Sequence, residues 1–248
     1  MAQPLLGAAL NAREHTANPR TPEEIAAQAD AVLAAGAHVL HFHAYDDSGK
    51  ETLAAGPCAA AIRAVRAACP GIAISLTTSA DIEPDPARRL ALVAAWTELP
   101  DLVTANQGAA NQGERGIAAL CELLVERGVG IEAGLLSAAD AEAFVASGLA
   151  PRCVRVLVEP LDPDAQRAVE HAAEIERIVT EAGIELEQMH HGDGIASWAV
   201  NERALRRGHG IRTGLEDTGV LPDGRVAADN AELIGAAIRL RAAVATAT

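Results

Sequence analysis

A chain of 248 residues, half of them hydrophobic, can bury a large core, and its formal charge of −14 reflects 34 acidic against 20 basic residues. So acidic a balance, with no basic run, argues against nucleic-acid or anionic-membrane partners, which need clustered Lys and Arg to displace counterions. Cys58, Cys69, Cys121 and Cys153 lack both the spacing of a zinc knot and the density of a disulfide scaffold. They read as small buried hydrophobes in a reducing compartment. No apolar run reaches the roughly 18 to 20 residues that span a bilayer, and the N-terminus lacks a basic, then apolar, leader pattern, so a cytoplasmic protein is expected.

Short apolar runs bounded by turn residues alternate with longer Ala-rich stretches of helical period from one end to the other. The predicted strands are 5–11, 38–44, 72–78, 102–106, 129–135, 153–159, 184–190 and 208–214. The first helix opens on Thr21, Pro22 and Glu24, a capping box with proline at its first position, and stops at Gly36. The third opens on Asp85-Pro86 and is predicted to end just before Pro100. The other helices are predicted at about 56–69, 113–127, 137–147, 163–182, 194–207 and 228–246 by the same signals. Eight βα units without a linker or composition shift predict one domain over residues 1–248, an α/β fold of the (β/α)8 TIM barrel type. A doubly wound open sheet would carry a Gly-rich phosphate loop after its first strand, and "ALNAREHTANP" has none.

In such a barrel chemistry belongs at the C-terminal ends of the strands. Those ends supply Asn11, Arg13 and Glu14; His41 and His43; Thr77, Thr78 and Ser79; Thr104 and Asn106; Glu132; His190 and His191; and Arg212, Glu216 and Asp217. Positions i and i+2 of a strand share a face, with bases roughly 6.5 to 7 Å apart, so His41 and His43 can converge on one metal, whereas His38 has the other parity. Alone, the pair reads equally as two polar histidines of core or surface. Barrel closure adds to it, because strand 8 pairs with strand 1 and strand 1 with strand 2, bringing Glu216 near both imidazoles. A His2Glu set suits Zn²⁺ and also admits Co²⁺, Ni²⁺, Fe²⁺ or Mn²⁺.

Two stretches, "HFHAYDDSG" and "GIRTGLED", resemble the HxHxRDxxG turn and RxGLED signature of the β-keto acid cleavage enzymes. "SLTTS", "VTAN" and "VGIEAGLLSAADAEAF" are similar to further segments of that family along the chain. The resemblance implies a divalent metal, normally zinc, on His41, His43 and Glu216, with Asp217 as catalytic base polarised by Arg212. It further implies that Thr77, Thr78 and Ser79 hold the substrate carboxylate with Thr104 close by, and that Glu14, Asn106 and Glu132 line the pocket around the variable end of the substrate. The implied reaction condenses a β-keto acid with acetyl-CoA and splits the adduct by a retro-Claisen step into acetoacetate and a new acyl-CoA. The implied assembly is a homo-oligomer, tetramer or dimer.

Tyr45 stands where the family pattern has Arg, and Ser79 and Ala80 replace two loop glycines. In "MHHGDGIASW" at most one of His190 and His191 should point into the barrel, and a supporting duty is expected for them; the backbone at Gly192 to Ile195 is a candidate anion-binding helix N-terminus. Trp96 and Trp198 are expected to pack helices on the barrel. Two other functions fit the same residues: a metal-dependent lyase or aldolase without CoA exchange, and a non-catalytic barrel binding a small carboxylate.

Overall fold

A computed structural model describes residues 3–12 and 14–247. The chain's punctuation acts locally as its chemistry dictates. The Thr21 hydroxyl accepts from the Glu24 amide, the Glu24 carboxylate accepts from the Thr21 amide, and Gly36 takes φ 111° to end the helix. Asp85 caps the third helix ahead of Pro86.

Eight strands result: β1 Leu6–Ala9, β2 Val39–Phe42, β3 Ala73–Thr77, β4 Leu102–Asn106, β5 Gly130–Leu135, β6 Arg155–Val158, β7 Glu187–His190 and β8 Gly210–Thr213. Each is followed by a helix: α1 Pro22–Ala35, α2 Ala55–Ala68, α3 Pro86–Ala94, α4 Ala109–Glu126, α5 Ala138–Ser147, α6 Ala165–Glu181, α7 Ser197–Arg206 and α8 Asn230–Thr246. All the strand pairs are parallel and β8 closes on β1, which makes a (β/α)8 TIM barrel. A two-stranded ribbon, Ala44–Tyr45 against Glu51–Thr52, follows β2.

Three helix boundaries differ from those expected. Helix α3 ends at Ala94, not just before Pro100, because the chain turns to bury Trp96, whose indole donates to the Leu53 carbonyl at 2.8 Å. Helix α4 begins at Ala109, four residues early. The 194–207 segment splits into a 3-10 turn, Gly194–Ala196, and α7. Trp198 packs as expected and donates to the Val220 carbonyl at 2.9 Å. The four cysteines are buried and free, and burial pushes the Cys58 and Cys153 thiols up to about 12, so they are not nucleophiles. No helix among the described residues is long and apolar enough to cross a membrane.

Inside the barrel, Val39, Leu102, Leu157 and Met189 form an apolar floor. Gly7 of β1 pairs with Arg212 of β8, and Ala9 with His41 of β2. One strand therefore separates the two sequence signatures, and Gly7, lacking a Cβ that would fall 3.3 Å from the Arg212 stem, leaves room for that side chain.

Candidate metal centre and active site

His41, His43 and Glu216 offer three ligand atoms within 4.8 Å of one another. Glu216 Oε2 lies 3.4 Å from His41 Nε2 and 3.7 Å from His43 Nε2. Two ligands on a tetrahedral zinc, each about 2.1 Å from it, are themselves roughly 3.4 Å apart, so the donor spacing fits such an ion. The opposite ring nitrogens are engaged, as metal-binding histidines require: His41 Nδ1 lies 3.1 Å from Ser75 Oγ, and His43 Nδ1 lies 2.8 Å from Glu51 Oε2. Asn11, fully buried, fixes the His43 main chain by accepting from its amide at 2.8 Å and donating to its carbonyl at 3.0 Å.

Burial first, then the Arg212 charge, depresses His41 well below the ordinary imidazole value and keeps it a neutral donor. Burial acts the same way on His43, but Glu216 and Glu51 outweigh it and raise its pKa. The Glu216 carboxyl is raised by burial against the pull of Arg212 and His43. A half-buried carboxylate facing two imidazoles, with more acids beside it than cations, calls for a cation.

Asp217 is gripped from the other side. Arg212 Nη2 donates to its Oδ1 at 2.6 Å and Arg212 Nε to its Oδ2 at 3.2 Å, a bidentate pair, while Nη2 also reaches Glu216 Oε1 at 3.0 Å. Burial would raise the Asp217 carboxyl, but Arg212 and then His191 hold it down at about 2. Gly214 shapes this loop through close approach: a Cβ there would fall 2.0 Å from the Ala9 carbonyl oxygen. Asn230, at the start of α8, accepts from the Leu215 amide at 2.8 Å and donates to the Leu10 carbonyl at 2.8 Å, locking the loop to β1.

The remaining sequence-predicted residues divide by height in the barrel. Glu132 and Thr104 lie beneath His41. Thr104 Oγ1 is 3.3 Å from His41 Nδ1, and Glu132 accepts from Ser75 and lies 3.4 Å from Arg155 Nε. Glu132 thus braces the rear of His41 through Ser75. The Thr78 hydroxyl donates to the Thr104 carbonyl at 2.8 Å and ties β3 to β4, while Thr77 Oγ1 accepts from the Ser79 amide at 3.1 Å. Asn106 packs its amide over Gly134, where a Cβ would fall 2.2 Å away. Glu14 lines an open cavity of about 570 Å³ at the mouth with Asn18, Arg20, Tyr45, Lys50 and Glu51. The Arg20 guanidinium lies 5.8 Å from the Tyr45 ring centre, so a cation reaches this rim from the β1–α1 loop. Arg13 lies outside the described residues.

His38 stays out of the site, accepting from the Leu6 amide at the foot of β2. His191 points in and His190 points out towards α6 and α7. The Gly192 to Ile195 turn is not a free anion site: the Gly192 amide donates to Ser197 Oγ and the Gly194 amide to the Asp217 carbonyl. Ser75, Glu51, Glu159 and Asn230 were missed in the sequence. A usable signal existed only for Glu51, since the "DDSG" turn folds the chain back into the ribbon that carries it.

Known proteins share this chain's sequence pattern or its fold. A 3-keto-5-aminohexanoate cleavage enzyme of Fusobacterium nucleatum subsp. nucleatum is 26% identical over 262 residues, covering 95% of this chain and 88% of that protein. ObcA structures, including a ternary complex with C4-CoA adduct and oxalate, align with TM-scores of 0.67 to 0.71 at 18% identity, a likeness of fold. They cover 88 to 92% of this chain, which spans only 60 to 67% of ObcA. A type I 3-dehydroquinate dehydratase from Clostridium difficile shares the barrel, with a TM-score of 0.64 at 11% identity over 98% of this chain and 94% of its own. With the family model for beta-keto acid cleavage enzyme matching residues 4–247, the chain belongs to the β-keto acid cleavage enzyme family.

Proposed function

We propose that the protein cleaves a β-keto acid with acetyl-CoA, yielding acetoacetate and a new acyl-CoA, as a cytoplasmic, single-domain homo-oligomer. The observation that carries this is the meeting, in a chain of this family, of a His2Glu donor set with an Arg-paired aspartate on the same barrel face. His41, His43 and Glu216 would hold a divalent ion, zinc by preference. When bound, that ion supplies Lewis acidity for the negative charge that develops on a β-keto acid losing its α-proton.

The chain's own residues do the rest. Asp217 is the base that takes the α-proton, and Arg212 keeps it ionised and aimed. The carbanion attacks the acetyl thioester and expels CoA thiolate. The thiolate then adds to the original ketone carbon, the bond between that carbon and the α-carbon breaks, and the acetoacetate carbanion takes its proton back. Thr77 and Ser79 at the end of β3 are proposed to hold the substrate carboxylate, supported by Thr78 and Thr104. Asn106 and Glu14 are proposed to border the variable substituent at the mouth cavity, with Glu132 acting on it from beneath through His41.

The test is a panel of charged, polar and apolar β-keto acids incubated with acetyl-CoA, scored for acetoacetate and acyl-CoA. Paired formation of both products is expected. Cleavage that proceeds without acetyl-CoA would replace this reaction by that of a lyase, and no turnover across the panel would overturn it in favour of a binding protein.

A further inference from the structure

Beside Asp217 the structure brings a third histidine and a third carboxylate to the catalytic face. His191 follows β7 on the inward parity of Met189, is fully buried, and is fixed by donation of its amide to the Val158 carbonyl at 3.0 Å. Its Nδ1 lies 3.3 Å from Asp217 Oδ1 and its Nε2 lies 3.5 Å from Glu159 Oε2. Along this line side-chain exposure rises from 2% at Asp217 and 0% at His191 to 20% at Glu159. Arg212 reaches Glu159 Oε1 at 3.9 Å, so one guanidinium steadies both ends of the line.

From this geometry we infer that His191, with Glu159 behind it, positions Asp217 and carries the abstracted proton between Asp217 and solvent; the inference rests on the proposed function. Asp217 is shut away from solvent, and the guanidinium that grips it cannot accept a proton. An imidazole can take a proton on one nitrogen and release one from the other. In the neutral tautomer that carries its proton on Nε2, His191 takes the substrate's α-proton from Asp217 on Nδ1 and passes the Nε2 proton to Glu159, which exchanges with water. The way back runs from Glu159 to Nε2 and from Nδ1 to Asp217, which protonates the acetoacetate carbanion. Between the two steps the proton is held away from the CoA thiolate, which must stay ionised to attack the ketone carbon. His191 acts through Asp217 and is a positioning residue.

The experiment supplies a β-keto acid deuterated at its α-carbon, in ordinary water with acetyl-CoA, and measures deuterium retained at the corresponding carbon of newly formed acetoacetate. One deuterium is never abstracted and stays on carbon; the wild-type enzyme is expected to lose most of the other, abstracted one to solvent. In His191→Gln, which keeps a polar side chain of similar reach, retention rises severalfold and kcat falls roughly tenfold or more, with KM and bound metal unchanged. Glu159→Gln shifts retention the same way, and the double variant is no worse than His191→Gln, because the groups act in series. A purely structural role would lower stability and kcat without raising retention. Unchanged retention in both single variants overturns the inference and leaves the proposed function standing. If His191→Gln does not fold, Glu159→Gln alone decides. Failure of the wild-type enzyme to convert any β-keto acid overturns the proposed function and the inference together.

Discussion

Among the described residues, two groups bring two imidazoles and a carboxylate within 4.8 Å of one another: His41, His43 and Glu216 inside the barrel mouth, and Glu176, His190 and His209 between the barrel and helices α6 and α7. The charge around the carboxylate separates them. Glu216 gives one oxygen to Arg212 and turns the other to both histidines. Glu176 gives Oε2 to Arg203 at 2.6 Å and Oε1 to Arg207 at 2.8 Å, with His209 at 3.2 Å. A cation entering there would meet two guanidinium groups around a single carboxylate. The rings of His190 and His209 stack at 4.8 Å, so the second group is a buried charge cluster that joins α6, α7 and the strands. Three donors in reach do not make a metal site where the carboxylate is already gripped through both oxygens by guanidinium groups.

The largest effect that can break this contrast is loss of turnover in Glu216→Gln. Removing a ligand forfeits several kcal/mol of transition-state stabilisation, so kcat/KM should fall by about 10³-fold or more in a steady-state assay. Retained turnover would make the mouth group no more a metal centre than the outer one. Next, Asp217→Asn should lower kcat by about 10²-fold or more. Its metal content should match wild type, which separates the base from its ligand neighbour.

Glu176→Gln should act on stability instead, costing about 1 to 2 kcal/mol in denaturant unfolding because Arg203 loses a buried partner while the exposed Arg207 is solvated without it, with metal content unchanged. The pH dependence of that term has a definite sign. Burial pushes the Glu176 carboxyl up, but His209, Arg207 and Arg203 hold it well below its ordinary value of 4.5. Its contribution is therefore complete above about pH 4.5 and is lost as pH falls towards the lower folded value. Stability curves between neutral pH and pH 3 should be flatter in acid for Glu176→Gln than for wild type. The smallest effect is expected from Ser75→Ala, which leaves the rear nitrogen of His41 only its longer contact with Thr104 and should weaken metal binding about tenfold in a chelator competition.

The barrel was legible because its punctuation is local: Thr21, Pro22, Gly36 and Asp85 fix helix ends by their own chemistry. The grouping of the candidate donors was legible because strand parity pairs His41 with His43, and barrel closure brings β8 to within one strand of β2. Parity does not give height. Glu132 pairs in register with Thr104 and Arg155 and reaches Ser75 behind His41, a relation spread over several strands. Glu159 and Asn230 were invisible for the same reason, since their partners lie far along the chain. Helix α3 misled because the burial of Trp96 outweighed the helical period around it.

The central claim is that the mouth group, and not the outer one, holds a divalent metal. Metal analysis of purified wild type, Glu216→Gln and Glu176→Gln after loading with zinc and desalting tests it directly. One equivalent per chain in wild type and Glu176→Gln, with little in Glu216→Gln, is the predicted result. Metal retained in Glu216→Gln but lost from Glu176→Gln, or absent from wild type, would contradict it.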